Sequence, residues 1–283
     1  MWGYLMIAPV VIGLAVFYIY PFFDTLVNSF KTIGAFNVSK WCGLANYKKL
    51  TTDESLWHTL YNTFRYVIFT VPVTIILSLL LAVLLNTKNL KGRGIYRVIY
   101  FLPYVTMATA IAAVWKWMYN GDFGLINYIL GLFGIKGQQW VTNPAIAPYS
   151  IIVVSIWGSL GYNMIILLAG IQGISPTYYE AAEIDGANFW QRLRYVTLPM
   201  LSGAIMINLV FGITYGLKVF DIVYVLTNGG PGHATEVLTT YAFQLYSRGQ
   251  YGMSSALNSI LLLITAIAGV VIVKTLGKQE VQQ

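Results

Sequence analysis

Ser155, Ser159, Tyr162 and Asn163 step by four, three and one residues through an otherwise apolar run that includes SIWGSLGYN. On a helix those steps place two hydroxyls, a phenol and an amide on one stripe. The next apolar run adds Asn208 and Tyr215, with Lys218 and Asp221 at its end. Polar groups beside aromatic faces, in a cavity between helices, recognise a polar solute by hydrogen bonding and stacking. An unpaired amide in apolar surroundings is costly, so Asn208 requires a partner or a cavity. Helix packing or interhelical hydrogen bonding is the competing reading for each residue. Lys218 and Asp221, at i and i+3, read as a structural ion pair at the end of the run.

Bond-breaking chemistry has no comparable support. No G-x-x-x-x-G-K-[ST] or H-E-x-x-H pattern occurs, and the two histidines, His58 and His233, are far apart. No catalytic residue and no metal ligand is assigned, and the chain is not read as an enzyme. The single cysteine, Cys42, excludes an internal disulfide. The net charge of +7 would suit nucleic acid in a soluble protein. Here the basic residues sit mostly between apolar runs, where lipid headgroups and topology account for them, and nucleic acid is not expected as a partner.

The elements that must position these groups are membrane helices. Of the 283 residues, 57% are hydrophobic and only 10% charged. A bilayer core about 30 Å thick takes about 20 apolar residues as helix. Runs of that length recur, whereas the short alternating segments of a β-barrel do not. The expected class is all-α and polytopic, with six spans near 2–23, 66–85, 98–117, 146–171, 198–217 and 256–273. Pro9, Pro72 and Pro103 fall inside spans, which lipid-buried helices tolerate when neighbours satisfy the freed carbonyls. Gly212 and Gly216 form a small-xxx-small pair suited to close helix contact. The short loop NTKNLKGRGIYR concentrates Lys88, Lys91, Arg93 and Arg97, which places it and both termini in the cytoplasm. Acidic residues are missing from the span centres, which disfavours a self-powered proton- or sodium-coupled carrier.

One polar segment interrupts this pattern. In GISPTYYEAAEIDGANFWQRLRYVTLPML, Ser175 suits an N-cap and Pro176 the first helical position. Gly186 suits a positive-φ helix end. A second short helix is expected over about 188–196, and Pro199 suits the start of the fifth span. The small Ala181, Ala182, Gly186 and Ala187 would let another backbone come close. The acidic Glu180, Glu183 and Asp185 could pair with Arg192 and Arg194 or with a partner. On physics alone, an amphipathic interfacial linker is an equal reading.

EAAEIDGA followed by Leu198–Pro199 resembles the EAA loop of permease subunits in binding-protein-dependent ABC importers. Glu180, Ala181, Ala182, Gly186, Val196, Leu198 and Pro199 meet that pattern. VYVLTNGGPGHATEVLTTYAFQLY, GLANY and FLPYV resemble the carbohydrate permeases of the maltose and glycerol-phosphate type. The resemblance implies a type I ABC importer transmembrane fold. It divides the chain into a first helix and outward loop (1–57), a transporter core (58–273) containing the coupling loop (174–199), and a cytoplasmic tail (274–283).

The resemblance also implies a multi-pass subunit of a prokaryotic cytoplasmic membrane that imports a sugar or oligosaccharide by alternating access. Glycerol phosphate, a polyol or another organic solute is the alternative cargo, and a secondary carrier the remoter reading. The implied partners are a second, homologous permease subunit, two ATPase subunits that bind ATP and Mg, and an extracytoplasmic substrate-binding protein. No cofactor is expected in this chain. Glu180, Ala181, Ala182, Asp185, Gly186, Arg192 and Pro199 would couple to an ATPase. Ser155, Ser159, Tyr162, Asn163, Asn208, Tyr215 and Asp221 would line the substrate path. Asn228, Gly229, Gly230 and Pro231 would meet the binding protein.

Overall fold

The computed structural model describes residues 2–33, 39–87 and 90–276, so the expected tail lies outside the described residues from position 277 onward. Helix α1 (Trp2–Leu14) passes through a π-helical turn (Ala15–Ile19) into α2 (Tyr20–Ser29). The first span therefore runs on past Phe23 to Ser29. A two-stranded hairpin, β1 (Lys31–Ile33) with β2 (Ser39–Trp41), then interrupts the all-α pattern. Helix α3 (Ala45–Thr52) ties it down: buried Asn46 donates to the carbonyls of Ser29 (2.8 Å) and Lys31 (2.9 Å).

Helix α4 (Glu54–Asn86) is the long spine. Asp53 caps it by accepting from the Ser55 N–H at 2.9 Å. Its 33 residues extend about 50 Å, well beyond a bilayer core. The extra turns before residue 66 are polar on one side, which hydropathy alone discounts. Helices α5 (Arg93–Val105) and α6 (Ala108–Met118) together make the third expected span, but they bend by 97°. Pro103 removes one hydrogen bond from the last turn of α5, and Thr106 and Met107 then take extended ψ values of 142° and 130°.

Helix α7 (Leu125–Leu132) leads to α8 (Ala147–Gly173), the fourth span. Helices α9 (Pro176–Ile184) and α10 (Phe189–Arg192), a π turn (Leu193–Thr197) and α11 (Leu198–Met200) form the polar segment. The stretch Phe189–Met200 then meets α12 (Ser202–Leu217) at 69°. Pro199 thus ends the arm before the bend rather than starting the fifth span, because the chain breaks at Leu201 (φ −87°, ψ 3°). Helices α13 (Asp221–Leu226), α14 (Leu238–Ser247) and α15 (Tyr251–Leu276) complete the described part of the chain. Among the described residues, four helices are long and apolar enough to span alone, and the count reaches six when each bent pair is one span.

Helices α4 and α8 run side by side in the same direction, with α5 against α8 and α12 against α4. Gly212 and Gly216 make the expected close contact: a Cβ on each would sit 3.0 Å from Val71 and from Val67, both on α4. The apolar core forms two blocks. One gathers Val67, Val71, Ile151, Val223 and Leu257; the other gathers Leu85, Met164, Leu167 and Leu201. The start of α4 contacts the 233–241 region, while its end, at Asn86, lines a cleft with Phe189 and Arg192. The loop before α14 and the polar segment therefore lie at opposite ends of the bundle.

The Tyr241 hydroxyl donates to Asp53. Burial alone raises the Asp53 carboxyl, but the donors Tyr241 and Ser55 outweigh it and hold the group below its usual value. A depressed carboxyl stabilises the fold above its unfolded-state pKa, and that contribution is lost as pH falls through the folded value. Melting of Asp53→Asn should therefore differ from wild type at neutral pH and converge with it in acid. Parallel melting curves at all pH values would contradict this.

Candidate functional site

The seven residues expected along the substrate path, Ser155, Ser159, Tyr162, Asn163, Asn208, Tyr215 and Asp221, all line one cavity of about 380 Å³ between α4, α5, α6, α8 and α12. The stripe on α8 arises from its stepping, and each hydroxyl is turned back on the helix. The Ser155 hydroxyl donates to Ile151 at 2.9 Å, Ser159 to Ser155 at 2.8 Å, and the Asn163 amide to Ser159 at 2.8 Å. The two serine donors and one Asn163 N–H are satisfied locally, while the side-chain oxygens stay available as acceptors.

Tyr162 stacks on Tyr104 of α5, with centroids 4.5 Å apart and planes 16° apart, and meets Phe211 edge-on at 6.5 Å. Tyr215 stacks on Phe211 at 6.1 Å and exposes 68% of its surface. The cavity thus carries a continuous aromatic ledge. Lys218 and Asp221 are the charged members of its described lining. Both are exposed, and among the described residues they form no ion pair, so the expected structural pairing is not observed.

Asn208 is fully buried. Its amide donates to the Ala204 carbonyl at 3.1 Å, while its Oδ1 has no partner. The hydroxyls of Thr70 and Thr74 are likewise buried without partners. An orphaned polar atom in an apolar site costs about 1–3 kcal/mol, so these three atoms fit a site that a ligand or water completes. Sequence reasoning missed Tyr66, Thr70 and Thr74 on α4, and Tyr104 and Phe211. The α4 trio steps by four, the same signal that exposed the α8 stripe, but sits in YVIFTVPVT, where β-branched threonines pass as apolar.

At one end of the bundle, Glu180, Ala181, Asp185 and Gly186 are exposed together on α9 and its turn, with Ala182 half-buried. Gly186 holds φ at +79°, and a full Schellman turn closes around it: Ala187 N–H bonds Ala182 O at 2.9 Å and Gly186 N–H bonds Glu183 O at 3.0 Å. Ser175 occupies the cap position, but its hydroxyl meets the Thr177 hydroxyl at 3.1 Å instead of capping the backbone. The unforeseen cap is at the second helix, where Asn188 and Gln191 form a capping box. Arg192 pairs with Glu183 inside the segment. It braces the two short helices against each other, which leaves Glu180 and Asp185 as the exposed carboxylates outside that pair.

At the other end, Asn228 is exposed at φ +50° and Gly230 and Pro231 are half-buried. Gly229 is buried instead, at φ +87°, where a Cβ would lie 3.3 Å from that of Glu236. It shapes the loop rather than its surface. The exposed tip is Gly232 and His233, which the turn-rich composition did not single out.

Comparison with known proteins covers nearly the whole chain. The family described as "Binding-protein-dependent transport system inner membrane component" matches residues 54–277. The trehalose/maltose transport system permease MalF of Thermococcus litoralis is 35% identical over 277 residues, 98% of this chain and 93% of that one. The lactose transport system permease LacF of Rhizobium radiobacter is 34% identical over 271 residues, 94% of this chain and 90% of that one. In fold, the chain matches a bacterial ABC transporter involved in import of the acidic polysaccharide alginate, with a TM-score of 0.86 at 24% identity over 98% of this chain and 95% of that one. With four to six candidate membrane spans among the described residues and this match to most of its length, the chain belongs to the family of binding-protein-dependent transport system inner membrane components.

Proposed function

We propose that this chain is one of two homologous permease subunits of an ATP-driven importer, and that its cargo is a sugar or oligosaccharide without net charge. The observation that carries the cargo class is the stacked Tyr104–Tyr162 ledge facing the orphaned polar atoms of Thr70, Thr74 and Asn208. Flat aromatic faces suit the apolar faces of pyranose rings, and unpaired hydroxyls and amides suit their hydroxyl rims. A phosphorylated cargo calls for an arginine cluster. Among the described residues the lining has Lys218 balanced by Asp221. The named relatives that carry trehalose, maltose or lactose support the same class.

In this reading the segment 174–199 faces the cytoplasm, with both termini, and seats in a cleft of one of two ATPase subunits. Those subunits bind ATP and Mg. Glu180 and Asp185 offer acceptors, the small Ala181 and Ala182 allow close approach, and Gly186 sets the angle of the docking helix. The loop 227–236 faces outward toward a substrate-binding protein. ATP-driven closure of the ATPases opens the cavity outward, and hydrolysis resets it.

The test is ATP hydrolysis by the purified complex in proteoliposomes. A binding protein loaded with a neutral sugar should stimulate it. Stimulation only by glycerol phosphate or a polyol would overturn the sugar assignment. Tyr162→Ala removes an aromatic face worth about 0.5–1.5 kcal/mol, so uptake should weaken roughly two- to tenfold with assembly intact. Unchanged kinetics for every sugar tested would remove Tyr162 from the site.

A further inference from the structure

The loop before α14 is held by side chains from the first turns of α4. The Asn62 amide donates to two loop carbonyls, His233 at 3.0 Å and Glu236 at 2.9 Å. Arg65 donates to the Ala234 carbonyl at 2.9 Å and to the Asn62 side chain at 3.1 Å. The Thr63 hydroxyl accepts from the Leu238 N–H at 3.1 Å, which satisfies an orphan donor in the first turn of α14. Glu236 is itself buried, with one oxygen on the His233 ring at 2.8 Å, so the clamped side of the loop is closed to solvent. Arg65 also lies over the rings of Tyr61 on α4 and Tyr149 on α8.

About one, two and three turns beyond Asn62 on α4 stand Tyr66, Thr70 and Thr74, which form a wall of the central cavity. Asn62, Thr63 and Arg65 do not line it. Asn62 and Arg65 thus grip the surface loop, and Thr63 the start of the helix that follows it, from one end of the helix whose next turns face the solute. Each clamped loop group is backbone, so the grip fixes the loop's conformation whatever its side chains do.

We propose that Asn62, Thr63 and Arg65 are positioning residues that lock the 227–236 loop and the start of α14 to α4, so that a binding protein seated on the loop displaces the α4 wall of the cavity. The loop is then a handle on the helix and not only a landing surface. Resting on the importer reading above, the lock makes an expectation that docking alone does not. A loop that only docks its partner, once loosened, raises the binding-protein concentration needed for half-maximal stimulation and leaves the maximal rate intact. A loosened handle lowers the maximal rate.

The experiment measures ATP hydrolysis by the reconstituted complex against binding-protein concentration, for wild type, Asn62→Asp, Thr63→Val and Thr63→Ser. Asn62→Asp keeps the shape but removes both donors. Thr63→Val removes the acceptor, and Thr63→Ser restores it. Basal hydrolysis and the melting temperature of the complex are measured alongside. The expected result is a maximal stimulated rate lowered roughly five- to tenfold in Asn62→Asp and Thr63→Val, with basal hydrolysis unchanged and Thr63→Ser close to wild type. Wild-type maximal rates in both damaged variants would overturn the lock and leave the importer reading standing. Equal loss in Thr63→Ser and Thr63→Val would also overturn it, since the hydroxyl would then be irrelevant. A wild-type complex that no binding protein stimulates would overturn the importer reading itself, and the lock with it.

Discussion

Gly161→Ala should destabilise the subunit and abolish transport. A Cβ at this position would lie 2.0 Å from the Tyr100 carbonyl oxygen, 2.5 Å from its carbon and 2.8 Å from the Phe101 Cα. All three are backbone atoms of α5, so no side chain can swing away, and α5 and α8 must part along their crossing. Overpacking of this kind costs about 1–3 kcal/mol, and more when backbone must move. The loss does not stay local. Tyr104 stands one turn beyond Tyr100 and Tyr162 follows Gly161 directly, so the same separation dismantles the aromatic ledge. The melting temperature should fall by about 5 °C or more, with sugar uptake near background. Gly158→Ala is the control. A Cβ there meets nothing within 4 Å, so thermal stability should hold or rise slightly. Equal melting of Gly161→Ala and Gly158→Ala would show that the helix contact is looser than described.

Gly186→Val and Glu180→Lys should stop import while leaving the bundle folded. At Gly186 the obstacle is not space, since a Cβ there meets nothing within 4 Å, but the backbone angle of +79°. A left-handed residue with a side chain costs about 1–2 kcal/mol, and more when β-branched. The cheaper response is to undo the Schellman turn and swing α9 away from its angle to α10. Gly186→Asn, which tolerates that angle, should retain most activity. Glu180→Lys leaves the backbone alone and reverses an exposed charge. In both damaged variants the melting of the membrane part should match wild type, because Glu180 and Gly186 lie outside the two apolar blocks. Import should fall by an order of magnitude or more, as should ATP hydrolysis stimulated by the binding protein. Normal uptake in both would remove the segment from coupling.

The parts of this architecture that could be read from the chain are those where local chemistry decides. The helix–turn–helix at 176–192 follows from Pro176 at a helix start and Gly186 at a positive-φ stop. The α8 stripe follows from the spacing of polar groups in an oily run. What could not be read depends on neighbours far away in sequence. The bends at Thr106–Met107 and Leu201 are invisible to hydropathy, which averages the two halves of each bent pair into one span. The early turns of α4 fall outside the expected span 66–85, since Asn62 and Arg65 interrupt the apolar run. Their partners are carbonyls at positions 233–236. Arg192 could have faced either way until Glu183 was placed beside it. Gly229 resembles a surface turn residue, yet its small size serves Glu236 packed against it.

The 69° bend at Leu201 has a mechanical meaning. Leu201 is 1% exposed and belongs to the apolar block shared with α4 and α8, so the bend is anchored in packed side chains. On one side of it, the Phe189–Met200 arm reaches about 18 Å. On the other, Asn208 sits about 9 Å up α12. Turning as one piece, this bell-crank delivers about half of any displacement at the arm's tip to the cavity wall. A shift of several ångströms outside the bilayer becomes a smaller, more forceful one beside the solute.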